Sequence, residues 1–266
     1  MTIIQAIILG ITQGITEFLP ISSSAHLVLV PELLGWQQHS LAFDIMLHMA
    51  TLLAILIYFR RSLTELGNGI FSPDRTSRQR SKHLLYLISL TTIPTILFYF
   101  LTKPIINEDF KSLSTISISL ILVGILLVAT DHFFKDNPKK VQDLKPRNAI
   151  FIGIFQALAL IRGISRSGIS IVGGSINGLT KKEAIQYAFI AGIPAIGGGL
   201  ALLLLDLPGG RIEEATLPLL VGFISSFLSG YLTVFWLMRF ITRSSLAVFG
   251  YYRVVVGVFI LLAFVL

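Results

Sequence analysis

The sequence predicts an all-α polytopic membrane protein, built as an inverted-topology repeat with two re-entrant broken hairpins and about six full transmembrane helices. The first observation behind this prediction is composition: 54% of the 266 residues are hydrophobic and 13% are charged, whereas an ordinary soluble domain has about 25% charged residues. The second is a series of apolar runs of about 20 residues, the length that spans a bilayer. The third is an internal sequence repeat.

The first element is an apolar stretch that is too short to span a bilayer comfortably. It breaks at Pro20, continues through the serines 22–24, and ends near Gly35. This pattern predicts a re-entrant hairpin, and its break should face the protein interior, because non-helical backbone at membrane depth is tolerated only where protein or water surrounds it. The chain starts without a basic leader or a small-residue cleavage site, so we expect this segment to stay in the mature protein.

Three spans follow the first hairpin, near 41–58, 84–101 and 112–130. Asp44 and His48 interrupt the first of them, which is acceptable where neighbouring helices or a cavity satisfy polar groups.

A second broken hairpin repeats the first at a constant offset. Residues 10–13 reappear in similar form at 153–156, and residues 20–24 reappear at 163–167, in each case 143 residues later. Gly178 stands at the same offset from Gly35. Three further spans then follow, the first of them interrupted by Pro194 and glycines, near 184–205, 217–240 and 246–266.

Basic residues concentrate between the spans, in the loops 60–83 and 132–148. The positive-inside rule places both loops in the cytoplasm and the two termini outside, with the balanced or acidic loops at 103–111 and 206–214 facing outward. No aromatic pattern or motif accompanies the basic residues, so we predict contact with membrane lipids and no nucleic-acid partner. The chain is one membrane domain over 1–266, with repeat one at about 1–131 and repeat two at about 149–266, joined by the basic loop 132–148.

An odd number of spans between the hairpins inverts the second copy relative to the first. The first hairpin then dips from outside and the second from the cytoplasm, and their tips converge near the midplane, as in inverted-repeat transporters. Helices that restart after the serines would direct backbone N–H groups and positive dipole ends to that point. The arrangement predicts a site for an anion such as phosphate.

Several residues at the first break have the chemistry for catalysis. Glu17 lies one helical turn after Gln13, so both side chains share a face, and an ionisable group in an apolar segment indicates a functional site. Ser22 and Ser23 are helix caps or nucleophiles, and His26 is within reach of either serine as an acid–base partner. Pairing with an arginine, a helix-to-helix hydrogen bond, simple capping and a buried histidine remain the alternatives for these side chains.

Arg166 is the strongest candidate for binding phosphate. Its guanidinium is always charged and matches the geometry of phosphate oxygens, and Ser165, Ser167 and Gly168 surround it in the sequence. The alternative is that Arg166 only neutralises Glu17. Because the sequence has no cysteine, disulfides, thiolate metal sites and a cysteine nucleophile are excluded.

These motifs resemble those of the undecaprenyl-pyrophosphate phosphatase family of bacteria, which is linked to bacitracin resistance. The resemblance rests on residues 13–26 and 163–168, and extends to residues 43–48 and to Tyr252 and Arg253. It implies an enzyme of the bacterial plasma (inner) membrane that hydrolyses undecaprenyl pyrophosphate to the monophosphate and inorganic phosphate, and so recycles the lipid carrier for peptidoglycan synthesis. A homodimer is a further expectation.

The resemblance also implies roles for individual residues. Ser23 would be the nucleophile, His26 its acid–base partner and Arg166 the phosphate clamp, beside Glu17. A divalent cation, magnesium or calcium, would bind Gln13 and Glu17, and a metal-activated water is the alternative nucleophile. The phosphate would contact the remaining polar residues of the two breaks, Ser22, Ser24, Ser165, Ser167 and Gly168.

The chain departs from the family pattern at three positions. Gln13 stands where glutamate is frequent, which weakens divalent-metal binding because a neutral carbonyl replaces an anionic oxygen. Arg162 replaces a proline and adds a cation, while Ala25 replaces a glycine. These changes are expected to alter the specificity for lipid or phosphate.

Two other classes of function compete with the phosphatase. A transporter or flippase of a lipid phosphate would use the same inverted-repeat site, since broken helices at the midplane are a transporter architecture. A noncatalytic assembly protein would need the polar residues only for packing. Release of inorganic phosphate distinguishes the enzyme from both alternatives.

Overall fold

The computed structural model describes residues 1–103, 112–133, 139–205, 216–241 and 244–265. Within these residues the chain forms eleven α-helices and no β-strand, apart from one isolated bridge between Lys139 and Leu179. The helices are α1 (Ile3–Phe18), α2 (Ser23–Leu34), α3 (Leu41–Tyr58), α4 (Arg60–Ile70), α5 (Arg75–Thr102), α6 (Leu113–Phe133), α7 (Pro146–Ala157), α8 (Arg166–Ile176), α9 (Lys181–Leu205), α10 (Thr216–Phe240) and α11 (Ala247–Ile260).

Six helices in the described part of the chain are long and apolar enough to cross a membrane, namely α3, α5, α6, α9, α10 and α11, the last extended by the π-helical turn Leu261–Val265. The six predicted spans are therefore confirmed. Leucines and valines on their outer faces are largely exposed, for example Leu232 at 62% and Val255 at 68%. Contact of such side chains with lipid tails has no energetic cost, because the tails are equally apolar.

Four shorter helices form the arms on either side of the two breaks. With 16 residues α1 is about 24 Å long, and α2, with 12 residues, is about 18 Å long. The corresponding arms α7 and α8 have 12 and 11 residues. All four are shorter than the hydrocarbon core of a bilayer, which is about 30 Å thick.

The two breaks share an unusual backbone conformation. Ser22 has φ 77° and Ser165 has φ 69°, and these are the only non-glycine residues with positive φ in the described part of the chain. They are separated by the repeat offset, as are Gly35 and Gly178, which end the second arms with φ 63° and 84°. A strained residue of this kind costs about 1–3 kcal/mol and is kept where the surrounding structure holds it, often at a functional site.

The helix contacts also follow the repeat. The arm α1 packs against α10, and α7 packs against α5, so each first arm packs on a span of the other half. Equivalent glycines permit both contacts: a Cβ atom at Gly10 would lie 2.6 Å from the Gly222 carbonyl oxygen, and one at Gly153 would lie 2.5 Å from that of Thr91. This reciprocal packing between the halves is what two related repeats would produce. Their inversion across a membrane stays a prediction.

The loops differ from the sequence expectation in one respect. The segment 60–83, expected as a loop, contains the helix α4 and the first turns of α5, because Asp74 caps α5 by accepting hydrogen bonds from the backbone N–H groups of Thr76 and Ser77. Proline at the first position starts α7 at Pro146, within the expected loop 132–148. The outward loops lie mainly at 104–111 and 206–215, outside the described residues, so the orientation in the membrane stays a prediction.

Candidate active site

The two breaks lie against each other inside the protein. The backbone N–H of Gly163 donates to Ser24 Oγ at 3.4 Å, and Ser167 Oγ donates to the carbonyl oxygen of Glu17 at 3.3 Å. Ser24 and Gly163 belong to different repeats, 139 residues apart in the chain. The convergence of the serine-rich breaks, expected from the repeat, therefore corresponds to direct hydrogen bonds between them.

Arg253 of α11 holds the breaks together. This side chain is fully buried and donates to five backbone carbonyl oxygens at 2.8–3.3 Å. Three of those carbonyls lie in the breaks, at Pro20, Gly163 and Ile164. Sequence reasoning placed Arg253 only at the end of a family motif, although an arginine within an apolar span is itself a signal of a special role.

Arg253→Lys is expected to lower the thermal stability and to reduce turnover about tenfold. An ammonium has three donors at one point, so it cannot reach carbonyls on both breaks and on α6, and each buried carbonyl left without a partner costs about 1–3 kcal/mol. The measurements are the Tm of the purified protein and its kcat. Arg75→Lys, at an exposed position, is the matched control, and equal Tm and kcat for the two variants would contradict this role of Arg253.

A cavity of about 230 Å³ lies where the helices restart. The first turns of α2 and α8 form its polar wall, and α9 contributes an apolar wall. Backbone N–H groups in the first turn of a helix have no partner within the helix, so two such turns around one cavity favour an anion. The lining consists of Glu17, Ser22, Ser23, Ser24, His48, Ala159, Ser165, Arg166, Ala195, Ile196, Gly199, Leu200 and Leu203.

Glu17, in the last turn of α1, is the centre of the polar network. Its Oε1 accepts from Arg166 Nη2 at 2.8 Å, while its Oε2 accepts from Ser23 Oγ at 2.7 Å and from Gln13 Nε2 at 3.1 Å. His48 Nε2 lies 3.9 Å from the same Oε2. Because these donors surround a carboxylate that is only 8% exposed, the charge of Glu17 is compensated without bulk water.

Arg166 is the first residue of α8 and bridges Glu17 to α9. Its Nη1 donates to the carbonyl oxygen of Gly192 at 2.9 Å. A Cβ atom at Gly192 would lie 2.5 Å from Nη1, so a larger residue here would force the guanidinium to move. Gly192 was missed by the sequence analysis, and nothing in the pattern of glycines around Pro194 distinguishes it. Arg166 pairs with Glu17, as one alternative expected, and also lines the cavity.

His26 has other neighbours than the sequence led us to expect, and its catalytic role stays a prediction. Its two ring nitrogens contact the backbone carbonyl oxygen of Ser22 at 2.8 Å and the Tyr252 hydroxyl at 2.7 Å, and it does not line the described cavity. The expected pair of His26 with a serine hydroxyl is not formed, because the helical turn from Ser22 to His26 brings the ring to the carbonyl and then towards α11. The histidine that does line the cavity is His48 of α3.

The predicted phosphate-binding residues divide into two groups. Ser22, Ser24 and Ser165 line the cavity. Ser167 and Gly168 do not belong to the described lining: the Ser167 hydroxyl donates to backbone carbonyl oxygens of the first break, and the Gly168 N–H donates to Ser165 Oγ at 3.2 Å as part of a helix cap. Their contact with phosphate stays a prediction.

A divalent cation has a limited set of ligands here. The described residues contain no cluster of three or more His, Cys, Asp or Glu side chains suited to a metal ion. However, Gln13 Oε1 is buried and has no hydrogen-bond partner among them, and it adjoins the carboxylate of Glu17. Since Mg²⁺ is commonly held by one or two carboxylates together with substrate phosphates, Gln13 and Glu17 fit such an ion only as partial ligands that a phosphate would complete.

The fold and this site define a polytopic membrane protein with a buried polar centre suited to a phosphate group. The model of the family described as bacitracin resistance protein BacA matches residues 6–259. The chain belongs to this family, so the resemblance of its two motifs is confirmed.

Curated relatives named undecaprenyl-diphosphatase are similar to this chain over nearly its whole length. The one from Nocardioides sp. is 38% identical over 258 residues, which cover 96% of this chain and 93% of the relative. Undecaprenyl-diphosphatase 2 of Halalkalibacterium halodurans is 36% identical, with 99% and 97% of the two chains covered. The relative from Alcanivorax borkumensis is 39% identical, with 97% of each chain covered.

Proposed function

We propose that the protein hydrolyses undecaprenyl diphosphate, or a similar polyprenyl diphosphate, to the monophosphate and inorganic phosphate. The observation that carries the proposal is the position of Ser23 Oγ, 2.7 Å from Glu17 Oε2 and beside Arg166 in the cavity between the two helix starts. A hydroxyl held by a carboxylate next to an arginine is an arrangement for phosphoryl transfer. The relatives that carry the name undecaprenyl-diphosphatase support the same activity.

Substrate binding would begin with an exchange of partners at Arg166. In the described arrangement Glu17 occupies one side of its guanidinium, and a terminal phosphate entering the cavity competes for the same N–H groups. Transfer of Arg166 to the phosphate removes the strongest cationic neighbour of Glu17. The carboxylate then becomes a better proton acceptor while the phosphate gains a bidentate partner.

The chemical step follows from the Ser23–Glu17 hydrogen bond. Ser23 Oγ attacks the terminal phosphorus, and its proton moves to Glu17 Oε2. The bond between that phosphorus and the bridging oxygen breaks, and its electron pair leaves with the polyprenyl monophosphate. Water then attacks the phosphoserine, Ser23 Oγ recovers the proton from Glu17, and inorganic phosphate retains both protons of the water. Arg166 and the N–H groups of the helix starts stabilise the charge on the transferred phosphoryl group in both steps.

A bound divalent cation would add charge neutralisation at the phosphate oxygens, with Gln13 and Glu17 as its protein ligands. Because Gln13 offers a neutral oxygen, its contribution to cation affinity is expected to be small.

Gln13→Glu is expected to lower the Mg²⁺ concentration for half-maximal phosphate release about tenfold, because it adds an anionic oxygen beside Glu17. Titration of the activity of chelator-treated protein with Mg²⁺ and with Ca²⁺ measures this change. Gln5→Glu places the same charge on a partly exposed position in the first turn of the same helix and serves as the control. An unchanged half-maximal concentration in Gln13→Glu would remove Gln13 from the cation site.

The location of the protein follows from the same proposal. The family expectation is the bacterial plasma membrane, with the termini and the opening of the site on the outer side and the basic segments 60–83 and 132–148 in the cytoplasm. A homodimer remains an expectation of the family resemblance. Cysteines introduced singly into this cysteine-free chain, at Thr2 and at Arg78, would be labelled by a membrane-impermeant thiol reagent only at position 2 if the orientation is right.

The decisive experiment measures phosphate release and substrate movement separately. Purified protein in detergent should release inorganic phosphate from a polyprenyl diphosphate, and chelator treatment should establish the contribution of a cation. The transporter alternative predicts movement of a labelled lipid phosphate across proteoliposomes without release of phosphate. That outcome, with intact folded protein, would reject the proposed hydrolysis.

A further inference from the structure

A second cavity, of about 550 Å³, adjoins the candidate active site. Ser24, His48 and Leu203 line both cavities, so the two are neighbours across these side chains. The second cavity extends towards the connection between α2 and α3, where Gln38 and His39 belong to its lining. In the predicted orientation, this connection faces the outer side of the membrane.

Arg162 is the cation of the second cavity. It lies directly before the second break and is partly buried, yet within the described part of the chain it has no hydrogen-bond or ion-pair partner. A partly buried guanidinium is costly unless an anion neutralises it. Arg166 has such an anion in Glu17, whereas Arg162 has none among the described residues, so its neutralising group should come from a ligand.

The acidic side chain of the same cavity is already occupied. Asp44 Oδ1 lies 2.6 Å from His39 Nε2, and the described residues form no ion pair between Asp44 and Arg162. The His39 side chain is 7% exposed, and its Nδ1 is buried without a partner in the described structure. An unpaired buried nitrogen costs about 1–3 kcal/mol, so a polar ligand group in the cavity would satisfy it.

Four aliphatic side chains line the second cavity beside its polar residues. Leu27, Val28, Leu41 and Leu203 contribute to the wall of the second cavity. A cavity that combines aliphatic side chains with a guanidinium unpaired within the described part of the chain matches a phosphate group that carries a hydrocarbon chain better than it matches a free inorganic ion.

We propose that Arg162 binds the inner phosphate of the polyprenyl diphosphate, the group to which the prenyl chain is attached. This inference rests on the proposed function, in which Ser23 attacks the terminal phosphorus in the Arg166 cavity. The inner phosphate must then lie on the side opposite the attacking oxygen. When the bridging bond breaks, its electron pair adds one negative charge to the inner phosphate, and Arg162 stabilises that charge while the aliphatic wall contacts the start of the prenyl chain.

The test measures binding separately from turnover. Farnesyl diphosphate, farnesyl monophosphate and inorganic phosphate are titrated calorimetrically into the turnover-deficient Ser23→Ala protein, alone and combined with Arg162→Gln. We expect Arg162→Gln to weaken binding of farnesyl diphosphate about tenfold and to leave binding of inorganic phosphate within twofold, because inorganic phosphate binds at Arg166. Arg162→Lys should recover part of the loss, since it restores the charge without the fork.

Arg147→Gln, an exposed change of the same type, is the matched control and should have no effect on either ligand. Equal binding of farnesyl diphosphate with and without Arg162 would overturn the proposal. Selective loss of inorganic phosphate binding would also overturn it, by making the second cavity an exit site for the released ion. If the protein binds farnesyl diphosphate through Arg162 but releases no phosphate from it or from undecaprenyl diphosphate, the proposed hydrolysis fails while the binding site stands.

Discussion

Arg166→Lys is expected to lower kcat for a polyprenyl diphosphate about 10³-fold. The reason is geometric: the guanidinium contacts Glu17 and the Gly192 carbonyl at once, and the same fork would hold two oxygens of the transferred phosphate. An arginine that stabilises phosphoryl transfer contributes about 10³–10⁵ in rate. Lysine keeps the positive charge, so Glu17 is not left as an unpaired buried carboxylate, and the folded protein should survive. Steady-state phosphate release and Tm are the measurements.

A substitution on α9 should perturb the contact between Arg166 and Gly192 more mildly. Gly192→Ala retains every polar side chain of the site, but its Cβ would meet Arg166 Nη1, so the guanidinium must move. We expect about a tenfold loss of kcat. Gly197→Ala, on the same helix with no atom within 4 Å of the added Cβ, is the control for α9, and Arg147→Lys is the control for the arginine change. Wild-type kcat in both Arg166→Lys and Gly192→Ala would exclude Arg166 as the clamp.

The spans were predictable from the sequence because their signal is local. An apolar run of sufficient length without a central charge predicts a membrane-spanning helix. The observed bounds of α6 and α10 lie close to those predicted. The breaks were also predictable, since Pro20 and Gly163 interrupt apolar segments at equivalent positions. The helix α4 was not predicted, because a charged surface helix has no long apolar run and no capping side chain marks its start at Phe59.

The content of the site was predictable only in part. Glu17, Ser23 and Arg166 came from the motifs, and they meet in the structure. Which histidine enters the cavity depended on the direction of a side chain: His26 turns to Tyr252, 226 residues further along the chain. His48 lines the cavity because α3 packs beside the break. Gly192 and Arg253 contact the site because of the positions of α9 and α11. No spacing within a motif encodes such contacts.

The two strained serines set where the helices of the site begin. Ser22 and Ser165 each place a helix start immediately after a positive φ, so Ser23 and Arg166 become the first residues of their helices. Arg253 fixes the carbonyls on both sides of this arrangement. The nucleophile is therefore positioned before substrate binds, and the Arg166 guanidinium has only to exchange Glu17 for the phosphate, which limits the reorganisation needed in the transition state.

Ser23→Ala is expected to reduce phosphate release at least about 10³-fold, because it removes the attacking oxygen while Arg166 and the helix starts remain. Ser24→Ala removes a neighbouring hydroxyl of the same cavity that does not contact Glu17, so a loss of only a few-fold is expected. Ser89→Ala, at an exposed position on α5, should leave the rate unchanged. Initial rates of all three variants, measured at equal folded yield, provide the comparison.

A trapping experiment separates attack by Ser23 from attack by water. Single-turnover reactions with a diphosphate labelled in its terminal phosphate, quenched in acid, should leave label on the wild-type protein and none on Ser23→Ala. Full activity of Ser23→Ala would assign the attack to an activated water. If Ser23→Ala is inactive but the wild type carries no trapped label, the Ser23–Glu17 pair would instead orient the attacking water. Both mechanisms need Glu17 as proton acceptor, but only attack by Ser23 forms a bond between phosphorus and Ser23 Oγ.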